Sequence, residues 1–298
     1  MKIGLIGLGK MGLNLALNLA DNGITPIGFD INEQNVDIAK QANIVTADNL
    51  ALMISKLPSP KIIWIMVPAG KPTDSVVNEL KTVLTSGDIV IDGGNSFYKD
   101  SIQRAMVLEE KGITFFDVGT SGGQAGARHN GNFMIGGNPS KFKIIEPIFI
   151  AISALNGYLY TGPSGSGHYL KMVHNGIEYG MMESIGEGFD VLQHSPYDYN
   201  NVDVARMWNS GSVIRSWLME LAEQAFSDDG NLEDIKGTMH SSGEGRWTLD
   251  EALDQQVATP VIAMSLLMRY RSMEQDTFSG KVVSALRNEF GGHEVDKK

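Results

Sequence analysis

The first half of the chain alternates short apolar runs with longer amphipathic segments, and this alternation constrains the fold more than any other feature. Runs rich in Ile, Val and Leu predict buried strands at residues 2–8, 26–30, 61–67, 88–92, 114–118, 132–135 and 158–160. Amphipathic segments lie at residues 11–22, 33–41, 73–84 and 100–111. Because each parallel crossover needs a connection long enough to hold a helix, the pattern predicts a doubly wound α/β domain with a covered parallel sheet.

The second half shows only helical periodicity. Strand-like runs stop near Gly162, and helices are predicted at residues 165–193, 202–209, 213–226, 249–256 and 260–274. The Gly- and Ser-rich stretch 161–167 is the expected boundary between a domain at 1–163 and an all-helical domain at 164–298. Residues 278–298, with a C-terminal tail from about residue 280, are predicted to be either mobile or docked on a neighbour.

Composition and charge exclude several function classes. With 24 basic and 35 acidic residues the formal charge is -11, so we expect no nucleic-acid partner and no anionic membrane surface. The absence of cysteine excludes disulfides and cysteine-ligated zinc, and it favours a reducing cytoplasm. The longest apolar runs, 62–67 and 261–268, are far shorter than the roughly 18 residues of a membrane span. Without a cysteine cluster or an H-E-x-x-H motif, we expect no metal site.

A glycine motif, G-x-G-x-x-G, joins the first predicted strand to the first predicted helix. Its residues, which we predict to bind a cofactor, are Gly7, Leu8, Gly9, Lys10, Met11 and Gly12. The three glycines allow a tight turn, close approach of a pyrophosphate and close packing of helix on strand. The free N–H groups of the helix start would face the phosphates. This context favours a Rossmann-type dinucleotide-binding domain over a plain glycine-rich turn.

Asp30 ends the second predicted strand, where a carboxylate is expected to bind the adenosine ribose. A carboxylate hydrogen-bonds a free 2'-hydroxyl but repels a 2'-phosphate, and neither Ile31 nor Asn32 supplies a compensating cation. Two unit charges at about 4 Å interact by about 1 kcal/mol in water and about 4 kcal/mol at an effective dielectric of 20. The sequence therefore predicts NAD rather than NADP as the cofactor.

Four polar side chains recur at helical spacing in the predicted helix 165–193. They are Lys171, His174, Asn175 and Glu178, at i, i+3, i+4 and i+7, so they share one helix face. From spacing alone, the favoured interpretation is a solvated face opposite an apolar stripe of Leu170, Val173, Ile177 and Met181. The position of this helix directly after the dinucleotide domain favours the alternative, that the polar face lines a substrate cleft.

Two further polar, glycine-rich segments each follow a predicted strand. They are DGGNS at 92–96 and GTSGG at 119–123. In an open parallel sheet, ligands bind at such strand ends, although ordinary turns are an equally acceptable interpretation.

Six motifs follow one another along nearly the whole chain: GLGKMG at 7–12, IDGGNS at 91–96, GTSGGQAGAR at 119–128, GSGHYLKMVHNGIEYG at 165–180, GRWT at 245–248 and RNEFGGH at 287–293. In this order they resemble the 6-phosphogluconate dehydrogenase family. The chain is much shorter than the common long form of that family and resembles its short, NAD-preferring branch.

The resemblance implies roles for individual residues. Lys171 would be the general base and Glu178 the general acid, while His174 and Asn175 hold the substrate. The substrate carboxylate and hydroxyls would be bound by Asn95, Ser121, Gly122 and Gly123, with Asn95 also near the nicotinamide. The segment implied to lie along the cofactor consists of Val67, Pro68 and Ala69. The residues implied to bind the sugar phosphate are Tyr179, Arg269, Arg287 and His293. Where the long form has a phosphate-binding lysine, this chain has Ser242, with Arg246 nearby.

The implied reaction, a step of the pentose phosphate pathway, is the oxidative decarboxylation of 6-phospho-D-gluconate to D-ribulose 5-phosphate and CO2 with reduction of NAD. The implied partners are a phosphorylated sugar acid and further copies of the chain, in a homodimer or homotetramer. One alternative is a non-decarboxylating β-hydroxyacid dehydrogenase of the 3-hydroxyisobutyrate type, which would leave Arg287 and His293 idle. The other is an inactive dinucleotide-sensing module, which the intact Lys171 and Glu178 oppose.

Overall fold

The computed structural model describes residues 1–297, and these divide into two compact units, Met1–His174 and the remainder from Asn175. The division falls inside a long helix, while the domain boundary near residue 163 stays a prediction. The first unit holds eight strands: β1 Lys2–Ile6, β2 Thr25–Phe29, β3 Val45–Thr46, β4 Ile62–Ile65, β5 Ile89–Asp92, β6 Thr114–Ser121, β7 Gly131–Gly137 and β8 Ser153–Gly162.

One sheet contains all eight strands, in the order β3-β2-β1-β4-β5-β6-β7-β8. The strands from β3 to β6 in that order pair in parallel, which confirms the doubly wound α/β prediction. Towards one edge of the sheet the pairing differs, because β7 runs antiparallel to β6. Only residues 122–130 connect these two strands, fewer than the roughly dozen residues that a parallel crossover needs.

Seven helices belong to the first unit: α1 Lys10–Asp21, α2 Glu33–Gln41, α3 Leu50–Ser55, α4 Lys71–Val83, α5 Tyr98–Glu109, α6 Gly123–Arg128 and α7 Pro139–Ile152. The sequence did not predict α3, α6 or α7. The first two are too short, at six residues each, to show a periodic pattern. In α7 apolar residues occupy most positions and Pro147 interrupts them, so no amphipathic stripe stands out.

The core of the first unit lies on both faces of its sheet. In β4, Ile62 and Trp64 belong to one hydrophobic cluster, whereas Ile63 and Ile65 belong to the other. Successive side chains of a strand point to opposite faces, so these clusters cover opposite sides of the sheet. Burial on both sides explains why the central strands are continuous apolar runs.

Six helices complete the chain: α8 Ser166–Gln193, α9 Asn201–Asn209, α10 Trp217–Asp228, α11 Glu244–Asp254, α12 Pro260–Ser272 and α13 Phe278–Gly291. The helical prediction for this half is confirmed. The helix α13 was not predicted within the tail; the Thr277 hydroxyl accepts a hydrogen bond from Gly280 N at its start, and Gly292 ends it in a left-handed conformation. Among residues 1–297, no helix combines the length and apolar character needed to cross a bilayer.

Candidate functional site

The glycine motif forms a tight loop between β1 and α1. Gly7 has φ 95°, a value that favours glycine, and a side chain there would overlap the Met66 carbonyl oxygen. A side chain at Gly12 would overlap the Gly7 carbonyl oxygen, so α1 packs closely on the strand end. Gly9 is the N-cap of α1, and a Cβ atom at this position would have no neighbouring atom within 4 Å. These residues fit a pyrophosphate at the helix start.

Asp30 follows β2 and is held by three N–H groups. Its Oδ2 accepts hydrogen bonds from Leu8 N at 2.7 Å and Asn35 Nδ2 at 3.0 Å, and its Oδ1 accepts one from Asn32 N at 2.8 Å. These bonds orient the carboxylate against the glycine loop. Ile31 beside it is 93% exposed. Sequence reasoning missed Asn35, whose position in the first turns of α2, close after Asp30, was the available indication.

The loops after β5 and β6 meet through a reciprocal pair of hydrogen bonds. Asn95 Nδ2 donates to the Thr120 carbonyl oxygen at 3.1 Å, and Thr120 N donates to Asn95 Oδ1 at 2.9 Å. Asn95 has φ 51°, a conformation that few non-glycine residues adopt. The structure thus brings Asn95 beside β6, the strand that ends at Ser121. Val67, Pro68 and Ala69 follow β4, which pairs with β5 on the side away from β6.

Lys171 lies deep against the end of β6. A side chain on Gly119 would overlap Lys171 Cβ, so only glycine permits this approach. Lys171 Nζ is 3.4 Å from His174 Nδ1, and His174 Nε2 is 3.3 Å from Ser121 Oγ. An amine, an imidazole and a hydroxyl therefore form a connected polar row, which can take up and pass on a proton.

The interpretation of this helix face as solvated is wrong. Lys171 is 5% exposed, whereas Ile177 of the apolar stripe is 54% exposed, and Leu170 and Met181 are exposed as well. Close contacts at Gly119 and Gly167 bring the first turns of α8, including Lys171, onto the sheet of the first unit.

A buried aspartate holds the start of α8. Asp117 in β6 accepts hydrogen bonds from Gly165 N at 2.6 Å and from His168 N at 2.8 Å. A carboxylate at a helix N-terminus satisfies free N–H groups and interacts favourably with the helix dipole. Sequence reasoning missed Asp117, although a lone acidic residue inside an apolar strand was a usable indication.

The second unit brings together two of the residues implied to bind phosphate. The Arg269 guanidinium stacks 3.7 Å from the centre of the Tyr179 ring, and Ser242 N donates to the Tyr179 hydroxyl at 3.2 Å. Ser242 thus lies beside this pair. Arg246 instead pairs with Asp250 at 3.5 Å on α11.

Arg287 and His293 lie apart from that pair. Both are exposed, on α13 and just after it, and no hydrogen bond or ion pair within residues 1–297 joins them to Tyr179 or Arg269. The Asn288 side chain donates to the His293 carbonyl oxygen at 2.8 Å. In the same residues, no cluster of three His, Cys, Asp or Glu side chains has the arrangement of a metal site.

Comparison with known families assigns both halves of the chain. Residues 2–162 match the NAD binding domain of 6-phosphogluconate dehydrogenase, and residues 167–298 match the 6-phosphogluconate dehydrogenase C-terminal domain. The chain belongs to the 6-phosphogluconate dehydrogenase family. It is accordingly an oxidoreductase with an NAD(P)-binding domain.

Individual members of the 6-phosphogluconate dehydrogenase family show how far the similarity extends. A Bacillus subtilis protein provisionally named 6-phosphogluconate dehydrogenase YqeC is 56% identical over 298 residues, covering 100% of both chains. The NAD(+)-dependent, decarboxylating enzyme of Haloferax volcanii is 41% identical over 300 residues, covering 100% of this chain and 99% of its own. The Plasmodium falciparum enzyme, solved alone, with NADP+ and with 6-phosphogluconate, superposes with a TM-score of 0.84 at 30% identity, covering 100% of this chain and 66% of its own.

Proposed function

We propose that this protein converts 6-phospho-D-gluconate to D-ribulose 5-phosphate and CO2 with NAD as the hydride acceptor. The observation that carries the proposal is the buried Lys171 amine in a row with His174 and Ser121 at the end of β6. Similarity to the NAD(+)-dependent, decarboxylating 6-phosphogluconate dehydrogenase of Haloferax volcanii supports the same reaction and cofactor.

The chemistry follows from the order of the side chains on α8. The Lys171 amine takes the proton from the C3 hydroxyl as C3 is oxidised to a ketone. The nicotinamide ring of bound NAD would supply the acceptor for the C3 hydride. The resulting 3-keto acid loses CO2, because the ketone, polarised by protonated Lys171, accepts the electron pair of the broken bond. Glu178, two turns along the same helix face, then protonates C1 of the enediol.

Substrate binding in this proposal uses several elements. Asn95, Ser121, Gly122 and Gly123 bind the carboxylate and hydroxyls, together with His174 and Asn175. Tyr179 and Arg269 bind the sugar phosphate, since a guanidinium fork matches phosphate oxygens. The roles of Asn95, Ser121, Gly122 and Gly123 rest on their positions at the ends of β5 and β6. The role of Arg269 rests on its stacking against Tyr179.

The preference for NAD rests on the held carboxylate of Asp30. Three N–H groups fix its two oxygens in place, so the carboxylate cannot easily turn away from a 2'-phosphate. The neighbouring Ile31 offers no cation. This preference would separate the present chain from the Plasmodium falciparum relative, which was solved with NADP+, and group it with the NAD(+)-dependent Haloferax volcanii enzyme.

We also propose that the protein works as a homodimer or homotetramer. The helix α13 buries none of its residues and exposes apolar side chains at Phe278, Val282, Val283, Leu286 and Phe290. A contiguous apolar helix face of this kind is typical of a protein interface. Docked on a neighbour, α13 would bring Arg287 and His293 to the phosphate in the other subunit's site.

An assay of NADH absorbance and CO2 release tests the function. With 6-phosphogluconate and NAD we expect equal amounts of both products, and far less turnover with NADP. NADH without CO2 from 3-hydroxyisobutyrate would instead indicate the non-phosphorylated reaction. Dinucleotide binding without turnover of either substrate would indicate a sensing module and contradict the proposal.

A further inference from the structure

A buried arginine outside the residues assigned above joins two loops of the candidate site. Arg104 on α5 is 4% exposed. Its guanidinium donates from Nε to Asp74 Oδ1 at 2.9 Å, from Nη1 to Asp92 Oδ2 at 3.1 Å and from Nη2 to the Gly70 carbonyl oxygen at 3.4 Å. Asp92 ends β5, whereas Gly70 and Asp74 lie at the start of α4, so Arg104 bonds to the edges of two different strand-to-helix loops.

The first connection is the loop after β5, which carries Asn95. Asp92 is fully buried; its Oδ1 accepts a hydrogen bond from Gly94 N at 3.1 Å, and its Oδ2 accepts one from Ser96 Oγ at 2.8 Å. These bonds bend the loop on both sides of Asn95. Arg104 shares Oδ2 with Ser96, so it supports the carboxylate that shapes the Asn95 loop.

The second connection is the loop after β4, which follows the segment proposed to lie along the cofactor. Gly70 is the N-cap of α4 with φ 80°, and Asp74 lies in the first turn of that helix. The two loops also touch directly, because a side chain on Gly94 would come within 2.5 Å of the Val67 carbonyl oxygen. Their relative position is therefore closely determined.

The geometry requires an arginine. A planar guanidinium offers five N–H donors in a fixed fork, whereas a lysine ammonium is a single point charge on a flexible stem. One side of the fork meets Asp74 and Gly70, and the other meets Asp92. A cavity of about 340 Å³, lined in part by Asp74, Asp100 and Arg104, opens beside the guanidinium.

We propose that Arg104 is a positioning residue that holds the cofactor loop after β4 against the Asn95 loop after β5. The expected effect of Arg104 on kcat and KM for 6-phosphogluconate rests on the proposed function. Its expected effect on the Kd for the dinucleotide does not, because binding can be measured without any reaction.

The test compares Arg104→Lys, Arg104→Ala and Asp74→Asn with a matched control, Lys81→Met. Lys81 pairs with Glu110 at 2.7 Å at the other end of the same two helices, so its loss removes a cation between α4 and α5 away from the site. Calorimetry measures Kd for whichever dinucleotide the unmodified protein binds more tightly, at a temperature where circular dichroism shows every variant folded. Steady-state kinetics then gives kcat and KM for 6-phosphogluconate.

For Arg104→Lys we expect the dinucleotide Kd to rise about 10-fold and kcat to fall by up to about 100-fold, since small displacements of reacting groups are costly. Asp74→Asn weakens only the bond between Arg104 and the start of α4. The fold-increase in the dinucleotide Kd should therefore exceed the fold-increase in the KM for 6-phosphogluconate. Adding guanidinium ions to Arg104→Ala should restore part of the lost affinity by filling the vacated space. Lys81→Met should change each value less than about 2-fold.

A merely structural Arg104 would lower the melting temperature without moving Kd, KM or kcat in folded protein, and that result in Arg104→Lys would overturn the proposal. Should Arg104→Ala fail to fold, Arg104→Lys and Asp74→Asn still decide the question. An unmodified protein that does not turn over 6-phosphogluconate refutes the proposed function alone, because the dinucleotide measurements still test Arg104.

Discussion

Lys171 Cβ lies in the space that a side chain on Gly119 would need. This close approach places the proposed base at the end of β6, although the two residues lie on different elements. Lys171 can therefore be buried this deeply only because residue 119 is a glycine.

Gly119→Ala should therefore displace α8 and lower kcat by about 100-fold or more, because misplacing a reacting group by about 1 Å can cost that much. Gly186→Ala is a matched control on α8, because the Cβ atom that it adds would have no neighbouring atom within 4 Å. It should leave kcat near the unmodified value. Equal kcat for both variants in steady-state kinetics would show that the contact does not position Lys171.

Lys171→Met should abolish nearly all turnover while leaving the calorimetric Kd for NAD unchanged, because the thioether cannot accept a proton. Glu178→Gln keeps the shape but not the acid, so we expect turnover to fall by about 10² to 10⁴. Retention of more than a tenth of kcat in Lys171→Met would mean that another group is the base.

Cofactor preference should depend on the bonds that hold Asp30. Replacing Asp30 by Asn and Ile31 by Arg should narrow or invert the ratio of kcat/KM for NAD over NADP. Asn35→Ala, which removes one donor to Asp30 Oδ2, should weaken the preference less. Equal efficiency of the unmodified enzyme with both cofactors would contradict this account of the ribose pocket.

The C-terminal helix should act in a neighbouring subunit. Truncation before Arg287 should raise the KM for 6-phosphogluconate steeply and change NAD affinity little. A mixed dimer of Lys171→Met and Arg287→Ala subunits should recover activity in one of its two sites. If subunit exchange is proven by mass spectrometry and no activity returns, the tail serves its own subunit.

Acid stability should depend on Asp88, which precedes β5. Burial alone would raise the pKa of its carboxyl, but hydrogen bonds from Thr85 N, Lys61 N and the Thr85 hydroxyl, with the Lys61 charge, bring the pKa below its ordinary value. The stabilisation is therefore present above the pKa of the unfolded chain and is lost as pH falls through the lower folded value. Melting temperatures should drop less steeply with acid in Asp88→Asn than in the exposed control Asp48→Asn. Parallel curves for the two variants would refute this role.

The strands were predicted best where the sheet is covered on both faces. The central strands β4 and β5 are continuous apolar runs, and both were found within a few residues of their bounds. The edge strand β8 was predicted only at residues 158–160, yet it extends over Ser153–Gly162. Leu155 and Leu159 in it are exposed, whereas Tyr158 and Tyr160 pack against the core, so the strand is not buried on both faces as the central strands are.

The sequence by itself determined the glycine loop that we propose binds the dinucleotide, because Gly7, Gly12 and Asp30 lie in a local turn and at a strand end that their spacing makes visible. Only the tertiary structure decided which side of α8 is buried. Helical spacing places Lys171 and His174 on one face but does not say what that face packs against. The links between Asp117 and α8, and between Arg104 and its two loops, join residues far apart in sequence. A lone acidic residue such as Asp117 in an apolar strand can be noticed in the sequence, but which groups it contacts depends on how the strands and helices pack.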